Sequence, residues 1–116
     1  MRKVLAVVED LFFLAKINEA GAQAGVQIIR ARQREQAIEL ARTEQPSMII
    51  IDLNAASCEP LELLAQLKAD RELREIVTLG FVSHVQTNLL EQARQAGCDR
   101  VLPRSAFSRD LPTLLA

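Results

Sequence analysis

The chain has 116 residues, 49% hydrophobic and 25% charged, with a formal net charge of −1. That length holds one domain around one core, so residues 1–116 are read as a single domain. Near-neutral charge with scattered Lys and Arg argues against a nucleic-acid surface, and having neither Trp nor Tyr removes a base-stacking platform.

Residues 3–8 are predicted as a buried strand, with Val4-Leu5-Ala6-Val7-Val8 running into Glu9-Asp10. Leu11 to about Ala24 is expected to be a helix, with Phe12, Ala15, Ile17 and Ala20 as its apolar stripe and Gly25 as its C-terminal cap. Val26 to Ala31 alternates as a strand near a sheet edge does. Arg32 to Glu44 reads as a helix with Ala37, Ile38, Leu40 and Ala41 on one face, ended by Pro46.

Residues 48–53 form the second strongly apolar strand, Met48-Ile49-Ile50-Ile51 running into Asp52. A loop through Asn54 to Cys58 follows, and Pro60 opens a helix where its missing N–H does no harm. Leu61, Leu63, Leu64 and Leu67 give that helix a broad buried face. Ile76 to Val82 is predicted as a fourth strand, and about Gln86 to Ala96 as a helix closed by Gly97. Arg100 to Leu102 is a short fifth strand.

The tail from Ser108 to Ala116 has room for a short helix confined by Pro112. Its Leu111, Leu114 and Leu115 either pack on the sheet, the preferred reading, or form an exposed apolar contact surface. Strict alternation of strand and helix implies a parallel sheet covered on both faces.

Two strands that end in acids matter most. If both are parallel and adjacent, Glu9, Asp10 and Asp52 meet at the carboxyl edge, where open α/β sheets bind ligands. Carboxylates about 5 Å apart repel by about 3 kcal/mol per pair at an effective dielectric near 20. Such a cluster needs a cation or keeps a proton, and Mg²⁺ suits oxygen donors. The alternative is that these acids are solvated turn residues. Asp52 closes a run of four apolar residues, and Asn54 two places later offers a backbone carbonyl.

At these residues the chain resembles the receiver domain of bacterial response regulators over nearly its whole length. The resemblance rests on Val7-Val8-Glu9-Asp10, on Ile50-Ile51-Asp52-Leu53-Asn54, and on Ala96-Gly97-Cys98-Asp99 leading to Val101-Leu102-Pro103-Arg104. It implies a flavodoxin-like (CheY-like) doubly wound sheet of five parallel strands in the order 2-1-3-4-5. It also implies Mg²⁺ held by Glu9, Asp10, Asp52 and the Asn54 carbonyl, with Asp52 as phosphoacceptor. Arg104 stands at the position of the family lysine, and Ser83 lies one residue past the position of the family Thr or Ser, which falls on Val82.

Several positions depart from the family pattern. Val101 replaces an aromatic switch residue, and Ser105 replaces a proline usually joined by a cis bond, so that bond is expected to be trans. Ala56 stands where proline is usual, Glu59-Pro60 replaces Asp-Gly, and the final helix is expected to be clipped.

The expected function is Mg²⁺-dependent phosphoryl acceptance on Asp52 from a histidine kinase or phosphotransfer protein, relayed by contact with a downstream protein target. No activity beyond self-phosphorylation is expected. The alternative is a pseudo-receiver that acts as an interaction module without phosphorylation. An unrelated flavodoxin-like enzyme lacks support, because no Gly-rich phosphate loop occurs and His84 has no evident nucleophile partner. With apolar runs far shorter than the roughly 18 residues of a membrane span, and Cys58 and Cys98 at no metal spacing, a cytoplasmic monomer or weak homodimer is expected. A redox role for Cys58, beside Asp52, is the minor alternative to a free structural thiol.

Overall fold

The computed structural model describes residues 2–83 and 87–116. Five strands, β1 (Arg2–Val7), β2 (Val26–Ala31), β3 (Met48–Asp52), β4 (Val77–Val82) and β5 (Arg100–Pro103), alternate with five α-helices. The helices are α1 (Leu11–Ala24), α2 (Arg34–Glu44), α3 (Pro60–Ala69), α4 (Thr87–Gln95) and α5 (Arg104–Leu115), and a 3₁₀ turn covers Ala56–Cys58. All strand pairs are parallel, in the order β2-β1-β3-β4-β5. The predicted doubly wound flavodoxin-like sheet is therefore the observed one.

Successive side chains of a strand point to opposite faces, and here both faces are buried. Val4, Ala6 and Val8, with Ile50, Leu79 and Phe81, face α1 and α5. Leu5 and Val7, with Ile49, Ile51, Val82 and Val101, face α2, α3 and α4. This is why the strands read as continuous apolar runs rather than alternating ones. Phe81 is fully buried, and sequestering one such side chain contributes about 2 kcal/mol.

Close packing of α1 depends on a small residue. A Cβ placed on Gly21 would stand 2.6 Å from Ile28 Cγ1, so only glycine lets the helix approach β2 this closely. Gly25 ends α1 in the left-handed region, with φ 71°, as its cap position requires.

The C-terminal region departs from expectation. The final helix is longer than the expected Ser108–Ala116 tail: α5 begins at Arg104 and runs for 12 residues with Pro112 inside it. Phe107, Leu111 and Leu115 recur every four residues and are all buried on the sheet. That packing outweighs the roughly 3 kcal/mol that a proline costs in a helix interior. Arg2 at the start of β1 donates from Nη1 to the backbone oxygens of Leu115 (2.8 Å) and Ala116 (3.2 Å), placing a cation at the helix end. Leu111 and Leu115 thus belong to the core, and Leu114 packs against it.

Candidate functional site at the carboxyl edge of the sheet

Val7 of β1 is in register with Ile51 of β3. Glu9-Asp10, just past the end of β1, and Asp52, the last residue of β3, therefore emerge side by side where the two strands are neighbours. The chain leaves these two strands toward opposite faces of the sheet, so the loops part and open a crevice. Arg104 reaches the same edge as the first residue of α5, just after β5.

Each acid is in a different state. Asp52 is buried at 3% exposure, and its Oδ1 accepts the Asn54 N–H at 3.0 Å. Burial pushes its carboxyl above the ordinary carboxylate range, with nearby Asp10 and Glu9 adding to the effect. The Asn54 N–H and the Arg104 charge oppose the shift without cancelling it.

Asp10 caps α1: its Oδ1 accepts the N–H groups of Phe12 (2.9 Å) and Phe13 (3.4 Å). Its Oδ2 pairs with Arg104 at 3.2 Å. Glu9 accepts a hydrogen bond from the Ser57 hydroxyl of the 3₁₀ turn.

The edge is braced by residues that the sequence did not single out. Arg30 of β2 donates to the carbonyls of Val8 (3.2 Å) and Glu9 (3.3 Å), fixing the backbone that carries the acids. Ser57 holds the Glu9 side chain, and Phe13 offers its ring to Arg104, whose guanidinium carbon lies 4.3 Å from the ring centroid. An aromatic residue three places after a capping acid was the available signal for Phe13. Nothing in the sequence marked Ser57.

Asn54 and Ser83 are brought together, since the Ser83 backbone N–H donates to Asn54 Oδ1 at 3.1 Å. Val82 and Val101 are buried in the aliphatic cluster on the α3–α4 side. The Arg104–Ser105 bond is trans, as expected. His84 lies outside the described residues.

The oxygen donors suit a hard divalent ion, and Asp10 and Glu9 place further negative charge near Asp52. Yet among the described residues no three acidic, histidine or cysteine side chains form a group that could enclose a metal ion. Glu9 and Asp10 are instead already engaged by Ser57 and Arg104. A cation that binds Asp10 Oδ2 competes with Arg104 for that oxygen.

Cys58 is buried and donates to the Arg32 carbonyl at 3.2 Å. Burial raises the Cys58 thiol above its ordinary pKa, which keeps it protonated and argues against a redox role. No described helix is long and apolar enough to cross a membrane.

Acids at the switch point of a 2-1-3-4-5 parallel sheet define the class of a receiver-like α/β domain. No protein-family model matches the sequence. The polar-differentiation response regulator DivK of Brucella ovis is 30% identical over 105 residues, spanning 90% of this chain and 85% of the relative. A chemotaxis response regulator of Vibrio cholerae superposes with a TM-score of 0.85 at 18% identity, covering 99% of this chain and 96% of that one.

The receiver domain of a sensor histidine kinase from Pseudomonas aeruginosa, solved with a magnesium ion in its active-site cleft, gives a TM-score of 0.85 at 16% identity. That match covers 98% of this chain and 93% of the other. These structural likenesses show the fold. The chain belongs to the response regulator family of two-component signalling, in which it forms a receiver domain.

Proposed function

We propose that this receiver accepts a phosphoryl group on Asp52 from a histidine kinase or phosphotransfer protein. An oxygen of the Asp52 carboxylate attacks phosphorus, and the P–N bond of the donor phosphohistidine breaks. The electron pair returns to the imidazole, which takes up a proton, and an acyl phosphate remains on Asp52. The carrying observation is the buried Asp52 carboxyl at the crevice mouth, flanked by two further acids and a guanidinium.

Arg104 supplies positive charge to the acid pocket until a divalent ion takes that place, and the Asn54–Ser83 contact orients the loop ends around the phosphoryl oxygens. Glu9, Asp10, Asp52 and the Asn54 carbonyl are the groups that would hold Mg²⁺. When bound, the ion neutralises phosphoryl oxygens and helps align donor and acceptor. Beyond its own phosphorylation the domain performs no catalysis, and it signals in the cytoplasm by contact with a downstream protein.

The test is incubation with acetyl phosphate and Mg²⁺. Wild type is expected to gain one phosphoryl group by mass spectrometry and Asp52→Asn none. Labelling that persists in Asp52→Asn would refute the assignment.

A second reading, the pseudo-receiver, is favoured by one observation. Val82 and Val101 are both buried among aliphatic side chains and offer no hydroxyl or ring to report the state of Asp52. Under that reading wild type takes up no phosphoryl group, and amide signals of residues 87–104 do not respond to acetyl phosphate.

A further inference from the structure

Arg104 belongs to two places at once. Its Nη2 is 3.2 Å from Asp10 Oδ2 in the acid pocket. Its guanidinium also lies over the Phe13 ring, with Phe81 6.0 Å away. Phe13, Phe81 and Phe107 form a stack, with centroids 4.9 Å apart for the first pair and 4.5 Å for Phe81 and Phe107.

Beside Phe13 runs a groove of about 540 Å³ between α1 and α5. Phe13, Lys16, Arg104, Ser105, Ser108 and Arg109 line it. No carboxylate is among those residues; Asp110, next to them on α5, pairs with Arg109 at 3.0 Å and leaves Lys16 and Arg104 as the cations without that partner. Arg104 therefore forms a wall shared by an acidic pocket and a basic groove.

We propose that Arg104 is a positioning residue that couples the two. In this structure it serves as the cation of the acid pocket. A divalent ion bound to Asp10 competes for the same carboxylate, and the displaced guanidinium moves along the Phe13 face into the groove, adding to its positive charge. Occupancy of the pocket is thereby written as charge on the α1–α5 surface.

Two observations carry this. Both Asp10 oxygens are already engaged, Oδ1 by the α1 backbone and Oδ2 by Arg104, so a cation at Oδ2 meets the like charge of the guanidinium at the same oxygen. The stacked phenylalanines are buried, whereas the Arg104 side chain is partly exposed, so the arginine is the side chain with room to move. Its planar, weakly hydrated head keeps contact with an aromatic face as it slides, which an ammonium does less well. The inference rests on the preceding reading only in that the pocket admits a divalent cation.

The test is a Mg²⁺ titration of the whole chain, followed by amide and arginine side-chain NMR, on wild type, Arg104→Gln and Arg104→Lys. Removing the competing charge from a partly exposed pair is expected to tighten Mg²⁺ binding about tenfold in Arg104→Gln. Arg104→Lys, which keeps the charge, should lie between the two and serves in its place if Arg104→Gln fails to fold.

In wild type, the Arg104 Nε signal and the Lys16 and Ser108 amides should move on the same binding curve as Asp10. In Arg104→Gln the pocket signals should move alone. A wild type silent to Mg²⁺ beside a variant that binds it is the same competition in extreme form.

Equal affinities, groove signals that stay fixed while Asp10 shifts in wild type, or no binding to any of the three proteins would overturn the proposal. Phosphorylation of Asp52 is scored separately by mass. Labelled Asp52 with failed competition removes only this inference, and competition without labelling removes only the phosphoacceptor reading.

Discussion

Asp52 and Asp99 lie at opposite ends of the sheet, and their surroundings shift the two carboxyls in opposite directions, Asp52 up and Asp99 down. Asp99, in the turn before β5, accepts the Thr78 N–H at 2.8 Å, the Thr78 hydroxyl at 3.0 Å and Lys68 Nζ at 3.2 Å. Its own N–H donates to the Thr78 hydroxyl oxygen at 3.0 Å. Partial burial pushes its carboxyl up, but the hydrogen bonds from Thr78 and Lys68 together outweigh this and hold it below the ordinary range.

Asp52 is the more buried of the two, and burial prevails there. One carboxylate is surrounded by donors and fastens α3, β4 and the turn before β5 to one another. The other is left short of them, in a crevice with two more acids. A folded protein gives up stability where a group must stay available for a charged or covalent partner.

The contrast can be broken first at Thr78, which is buried. Thr78→Val keeps the shape and removes the hydroxyl, leaving the Asp99 N–H and carboxylate each short of a partner. A loss of about 2 kcal/mol is expected, read as a lower urea midpoint with unchanged slope. An unchanged midpoint would mean that the Asp99 network contributes nothing.

Asp99→Asn should cost about 1.5 kcal/mol at pH 7, less than a fully buried ionic contact because Asp99 is half exposed. The sign follows from a lowered folded-state pKa. The contribution is present above the unfolded pKa and lost as pH falls through the folded one, so variant and wild type should converge in acid.

Asp52→Asn should do the reverse and stabilise by about 1 kcal/mol at pH 7, since it removes a buried charge and keeps an acceptor for the Asn54 N–H. A raised folded pKa favours the folded state below the unfolded pKa. That advantage is lost as pH rises through the folded value, so the gain of the variant should appear only above that window. Thermal unfolding at pH 3 and pH 7 checks both signs. Parallel pH profiles for the two variants would dissolve the comparison.

The elements of this contrast were unequally legible in the sequence. Strands buried on both faces announce themselves as apolar runs, so Val4–Val8 and Met48–Ile51 fixed which acids reach the carboxyl edge. Strand and helix ends shifted by a residue or two, as for α2, expected from Arg32 and found from Arg34. Pro112 led to a tail helix that was too short, because local propensity ignores the Phe107, Leu111 and Leu115 stripe that anchors the helix.

Which partners take the acid oxygens was not legible at all. Ser57 and Arg30 reach Glu9 and its backbone through tertiary placement. Two polar residues in loops or strand ends carry no periodicity from which that placement could be read. The tie between Thr78, Lys68 and Asp99 escaped for the same reason.

The smallest expected effect tests whether strain, like unsatisfied charge, gathers on the Asp52 side. Among the described residues the non-glycine positions with positive φ are Gln45 (49°) and Glu59 (45°). Gln45 ends α2, away from the crevice, while Glu59 joins the 3₁₀ turn to α3 in the loop that follows Asp52. A left-handed conformation costs an L-residue about 1 kcal/mol that glycine avoids, offset in part by the greater entropy glycine loses on folding.

Gln45→Gly should therefore stabilise by about 0.5 kcal/mol. Glu59→Gly releases similar strain but removes the carboxylate that Arg34 Nε contacts at 3.2 Å. An exposed pair of that kind is worth a few tenths, roughly 0.3 kcal/mol, so its net gain should be about half as large. Urea midpoints of the two variants beside wild type read both gains. If Glu59→Gly instead gains clearly more than Gln45→Gly, the loop carrying Ser57 holds additional strain against the acid pocket. Asp52 would then sit in a region under mechanical as well as electrostatic tension.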